Sequence, residues 1–97
     1  MRRAARTDDN HGAIVAALRK IGCSVLSLAP LGKGAPDALV TTPCGRRTFL
    51  VEIKDGAKPP SARKLTPDEA AFHASWLGEL YVVESVEDAI RTVGMTD

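Results

Sequence analysis

Gly34-Ala35-Pro36-Asp37-Ala38-Leu39-Val40 and Thr48-Phe49-Leu50-Val51-Glu52-Ile53-Lys54 are the two stretches on which the reading of this chain turns. The second is a dense apolar and β-branched run, the first continues Asp37 into Leu39 and Val40, and both predict strands. Between them Pro43-Cys44-Gly45-Arg46 is a turn signal, because Gly supplies a left-handed position without steric cost. A two-residue loop at Cys44-Gly45 makes the strands antiparallel partners and sets Asp37 directly opposite Glu52. Residues so opposed share one side of a sheet, with β-carbons about 5 Å apart. Lys54, two residues beyond Glu52, projects to that same side. A slip of one residue turns Glu52 and Lys54 to the other face, so the reading depends on register.

Two carboxylates at that separation repel each other, and they either share a proton or hold a cation. Mg²⁺ or Mn²⁺ suits such a pair, since oxygen ligands bind it and water completes the shell. A metal held there polarises a phosphoryl oxygen and lowers the pKa of its water. An ammonium alongside orients that water or stabilises charge growing on the phosphate. Phosphodiester hydrolysis is therefore the expected chemistry, with Asp37, Glu52 and Lys54 as its catalytic residues. The competing reading is structural: Asp37 caps the loop, and Glu52 and Lys54 form a solvent-facing pair on an exposed sheet.

Pro36-Asp37, a hydrophobic strand, then Glu52-Ile53-Lys54 resembles the Pro-Asp…(Asp/Glu)-x-Lys pattern of the restriction-endonuclease-like, or PD-(D/E)XK, nuclease superfamily. With Gly34-Ala35-Pro36-Asp37 and the downstream Lys64-Leu65-Thr66-Pro67, the chain is similar to the VRR-NUC family in its stand-alone phage or bacterial form. The resemblance runs from the first helix to Val83. It implies a metal-dependent deoxyribonuclease, structure-selective and acting in repair, recombination or phage DNA processing, with the Ile53 carbonyl assisting Asp37 and Glu52 at the metal. It further implies a homodimer, and a helicase or replication or repair partner is conceivable. The first helix of such nucleases often adds an acidic or amide ligand. This chain departs from that, and Asn10 and His11 are the auxiliary candidates left. A different class of function stays open: a nucleic-acid-binding accessory subunit without catalysis. Cleavage of RNA is a third possibility, since contacts to the backbone need not distinguish the sugar.

A chain of 97 residues makes one domain, here a single nuclease domain over residues 1–97. Only four residues are aromatic (Trp, Tyr and two Phe), which argues against a base-stacking RNA-recognition surface. The net charge of +1 decides nothing, but the placement of cations does. Arg2, Arg3 and Arg6 sit in a basic terminus over residues 1–7, expected to be flexible, where they are either phosphate contacts or solvated surface charge. Lys33 lies in the glycine-containing loop before Asp37. Lys58, Arg63 and Lys64 lie in a basic loop over residues 55–65 that begins at the proposed metal site. Lys33, Lys58, Arg63 and Lys64 are the expected nucleic-acid contacts, through phosphate. No apolar run approaches a membrane span, and nothing like a signal peptide follows the first arginines. A soluble protein is expected, cytoplasmic in a bacterial cell or phage-infected host. Cys23 and Cys44 belong to no C-x-x-C pair, and with His11 and His73 they lack the spacing of a zinc site.

The remaining elements follow from capping and periodicity. Asp8, Asp9 and Asn10 offer caps for a helix over about residues 9–21, whose Ile14, Leu18 and Ile21 stripe should pack on the sheet. Cys23 to Leu28 predicts a short strand. Thr66-Pro67-Asp68-Glu69 is a capping box opening a second helix, with Phe72, Trp76 and Leu77 on its core side. Capping accounts for Glu69, which is kept out of the metal set, and His73 is assigned no catalytic role. Leu80 to Val83 is a last strand, and Ser85 caps a last helix. The expected fold is α/β, a small mixed β-sheet flanked by helices in the order α-β-β-β-α-β-α.

Overall fold

Alternation along the strands divides the sheet into an apolar face and a face that carries the polar residues. The computed structural model describes residues 9–94, so Arg2, Arg3, Arg6, Asp8 and the tail at 95–97 lie outside the described residues. In chain order the elements are α1 (His11–Lys20), β1 (Ser24–Ser27), β2 (Ala38–Thr41), β3 (Thr48–Ile53), α2 (Pro67–Ser75), β4 (Leu80–Val83) and α3 (Val86–Gly94). That is the order expected from the sequence. Single 3₁₀ turns at Ala29–Leu31 and Pro60–Ala62 punctuate the two long loops. The four strands lie in sequence order, β1 and β2 antiparallel, β2 and β3 antiparallel, β3 and β4 parallel.

On the first face Val25, Val40, Phe49, Val51, Ile53 and Val83 meet Ile14, Val15 and Leu18 of α1 and Ala89 and Val93 of α3. Each fully buried Val, Leu, Ile or Phe contributes roughly 1.5–3 kcal/mol, so this layer is what holds the sheet against α1 and α3. Ile21 does not join it. Helix α1 ends at Lys20 and Ile21 is exposed, while Val15 is buried beside Ile14 and Leu18. Asn10 stands at the N-cap but makes no capping bond with its side chain.

The register of the β2–β3 hairpin is the expected one: Ala38 pairs with Val51, Leu39 with Leu50, Val40 with Phe49 and Thr41 with Thr48. The loop itself is longer than two residues. Thr42 N–H bonds the Arg47 carbonyl, and Gly45, at φ +76, closes a turn back onto the Thr42 carbonyl. A four-residue loop centred on the same point preserves the pairing, so the register survives a wrong loop length.

The second face carries an unbroken row of leucines, Leu26, Leu39, Leu50 and Leu80, one from each strand in register. Leu50 is buried beneath other residues, while Leu26 at the β1 edge is 59% exposed. Helix α2 lies on this face, because its side chains reach Glu52 and Lys54. No residue of α2 is buried. The helix stops at Ser75, so Trp76 and Leu77 fall outside it; Leu77 is fully exposed and Trp76 stacks on Phe72. The expectation that Phe72, Trp76 and Leu77 form core is thus corrected.

Candidate metal centre

Continuing the hairpin register by one step brings Asp37 opposite Glu52, at the end of the sheet where the glycine-containing loop enters β2. Asp37 is strapped to β3 on both sides of Glu52. Its N–H donates to the Val51 carbonyl at 3.0 Å, and its Oδ2 accepts the Ile53 N–H at 2.6 Å. Glu52 is only 2% exposed and Lys54 8%, so the polar stripe of β3 is covered rather than open to solvent. A solvent-facing Glu52–Lys54 pair is therefore not what forms.

Burial pushes the Glu52 carboxyl up, a shared hydrogen bond with Asp37 and the Asp37 and Glu69 charges add to it, and Lys54 opposes them; the result is about 9. At neutral pH Glu52 keeps its proton unless a cation displaces it. Helix α2 supplies its other neighbours. Lys54 Nζ donates to Glu69 Oε1 at 2.8 Å, and His73 Nε2 lies 3.1 Å from Glu52 Oε1. Glu69 Oε1 also accepts the Thr66 N–H at 2.8 Å, which completes the capping box. Burial raises the Glu69 carboxyl, but the bonds from Lys54 and the Thr66 N–H outweigh it and leave it below the ordinary value. Burial and the Lys54 charge lower the His73 imidazole, against the Glu69 charge.

The auxiliary residues divide. His11 lies at the site, with Nδ1 3.9 Å from Asp37 Oδ1, buried and without a hydrogen-bond partner. Asn10 turns away from it and ties two elements together, donating from Nδ2 to the Lys54 and Glu84 carbonyls at 3.1 and 3.2 Å. Ile53 contributes its N–H to Asp37, while its side chain is core.

Gly32, Lys33 and Gly34 all adopt positive φ, and Gly34 touches α2. A β-carbon on Gly34 would stand 2.5 Å from the Asp68 carbonyl, so only glycine lets the loop seat the start of α2. Between this loop and the first turn of α2 is a cavity of about 130 Å³, lined by Lys33, Asp37, Thr66, Asp68 and Glu69 among others. A larger cavity of about 690 Å³ opens at the start of α3, among Asp55, Glu84, Glu87 and Asp88. It contains neither Asp37 nor Glu52, and its acidic wall disfavours phosphate.

The four expected phosphate contacts also divide. Lys33 and Lys64 are exposed. Arg63 pairs with Glu84 at 3.3 Å, and Lys58 Nζ lies 4.0 Å from Asp9.

Among the described residues no three His, Cys, Asp or Glu side chains are arranged to hold a metal ion. Two carboxylates are what the site offers, Asp37 and Glu52, opposed across the hairpin. That donor set fits a Mg²⁺ or Mn²⁺ ion that keeps several waters, not a closed zinc cage. Sequence reasoning missed the two α2 residues. The signal was present: Glu69 and His73 are four apart on a helix, Glu52 and Lys54 two apart on a strand. These spacings are about 6.0 and 6.6 Å, so one turn of helix matches one pleat of strand.

Comparison with protein-family models, curated proteins and solved structures finds no match to the chain.

Proposed function

We propose that this chain is a divalent-metal-dependent nuclease of the VRR-NUC kind, hydrolysing phosphodiester bonds in DNA. The observation that carries the reading is the pair Asp37 and Glu52, opposed across one hairpin, with Lys54 on the same face. Asp37 and Glu52 would hold Mg²⁺ or Mn²⁺, with a main-chain carbonyl such as that of Ile53 able to assist. Such an ion supplies Lewis-acid polarisation of the phosphoryl oxygen and acidified water. Asp37 is kept in place by the Ile53 N–H, so its orientation does not depend on a ligand. Lys54, nearly buried on the same face and held by Glu69, would stabilise negative charge growing on the phosphate.

Lys33 and Lys64 then hold the nucleic-acid backbone, with Lys58 and Arg63 available if their acidic partners yield. Exposed Leu26, Trp76 and Leu77 favour association of two copies, and a homodimer would present two cutting sites to a duplex or junction. Repair, recombination or phage DNA processing in the cytoplasm of a bacterial cell or infected host is the setting we infer, with a helicase among the candidate partners. No helix among the described residues is long and apolar enough to cross a membrane.

The test is incubation with branched, nicked and linear DNA, and with RNA, in Mn²⁺ or Mg²⁺, comparing wild type with Asp37→Ala. Metal-dependent cleavage lost in Asp37→Ala supports the enzyme. Binding without cleavage in wild type replaces it with an accessory nucleic-acid-binding subunit.

A further inference from the structure

Helix α2 covers the polar end of β3 without burying a single residue of its own. Besides the Gly34–Asp68 approach, two polar clasps tie it to β3, Glu69 on Lys54 and His73 on Glu52. One turn of helix spans the same distance as one pleat of strand, so both clasps close together. The Glu69 clasp is fixed from behind by the Thr66 capping box, which leaves His73 as the adjustable one.

We propose that His73 is a positioning residue for Glu52: it holds Oε1 and so leaves the other carboxylate oxygen directed at the ion shared with Asp37. This rests on the metal-site reading above. Glu52 has no other hydrogen-bond donor among the side chains of α2, since Glu69 is an acceptor and is committed to Lys54 and Thr66. Carboxylates that bind metals need a hydrogen bond to orient them, and removing it typically weakens metal affinity 10- to 100-fold. An imidazole 3.1 Å from Oε1 meets this need, because hydrogen on Nε2 donates to the carboxylate.

The experiment is titration with Mn²⁺ by calorimetry, which reads binding without any substrate. Wild type is compared with Asp37→Ala, His73→Ala, His73→Leu and His73→Gln, and melting in EDTA shows which variants are folded. The expected result is Mn²⁺ binding in wild type, none in Asp37→Ala, and affinity about 10- to 100-fold weaker in His73→Ala and His73→Leu. His73→Gln, whose amide still donates, should recover to within a few-fold of wild type. Wild-type affinity in His73→Leu overturns the positioning role while leaving the metal site standing. Loss in His73→Leu as complete as in Asp37→Ala would make His73 a ligand and overturns it also. No Mn²⁺ uptake by wild type removes this inference and the metal-site reading together.

Discussion

At the scale of single residues, the proposed chemistry turns on one carboxyl group that is almost wholly buried. Glu52 faces Asp37 across the hairpin, Lys54 along its own strand, and Glu69 and His73 from α2. Its burial and the Asp37 carboxylate lift it from the ordinary 4.5 to about 9. The direction of the pH effect follows. Between those values the unfolded chain has lost the Glu52 proton and the folded protein has kept it, so the folded state binds more protons and is weakened as pH rises. In EDTA, stability should decline from about pH 5 toward 9, with a contribution from Glu52 of at most about 1.4 kcal/mol per pH unit. Urea melts at one-unit intervals measure it, and Glu52→Gln, neutral at every pH, should flatten the slope. A wild-type profile no steeper than that of Glu52→Gln would show that the carboxyl is not held protonated. Binding a divalent cation must expel the same proton, so Mn²⁺ affinity should rise with pH over the same window.

Elements decide which of these residues meet. The β2–β3 hairpin was legible because a turn signal and two apolar runs are symmetric about Cys44 and Gly45, and symmetry fixes register whatever the loop length. The capping box at Thr66 was legible for a similar reason, since it is a local bond pattern. What α2 does with its sides was not. Phe72, Trp76 and Leu77 carry helical spacing, but the helix ends at Ser75, and periodicity gives no warning that polar clasps tie the helix to β3. Glu69 satisfies the cap and Lys54 at once, so a sufficient local explanation concealed a tertiary one. Two substitutions test how α2 is seated. Gly34→Ala combines a strained φ of +82 with a collision against the Asp68 backbone, and should cost roughly 1–3 kcal/mol in urea midpoint analysis. Thr66→Ala removes the cap without touching the sheet and should cost about 1 kcal/mol. If α2 aligns the site, Gly34→Ala also lowers cleavage when assayed well below its melting temperature. Unchanged cleavage there would mean that the start of α2 need not be in place.

Over the whole molecule the balance of charge sets how nucleic acid is held. A net charge of +1 gives no long-range attraction worth the name, so binding must come from a few cations near the site. Of the four expected contacts, Arg63 is paired with Glu84 and Lys58 lies near Asp9, whereas Lys33 and Lys64 are exposed, Lys33 on the cavity that holds Asp37. Each phosphate contact contributes about −0.9 to the slope of log K against log salt on duplex DNA. Lys33 and Lys64 acting alone in one copy therefore give a slope near −2, and two copies gripping one duplex give a slope near −4. Anisotropy of labelled DNA across a KCl series, in EDTA and with Asp37→Ala to prevent cutting, reads this number directly. Sedimentation of the same sample gives the copy number against which it is judged. Lys33→Ala with Lys64→Ala should remove most of the slope, and Arg63→Ala should change it little because Glu84 already neutralises that cation. A slope indifferent to Lys33 and Lys64 would move the DNA off the metal-site end of the sheet. It would also separate the carboxylate pair from the polymer it is proposed to cut.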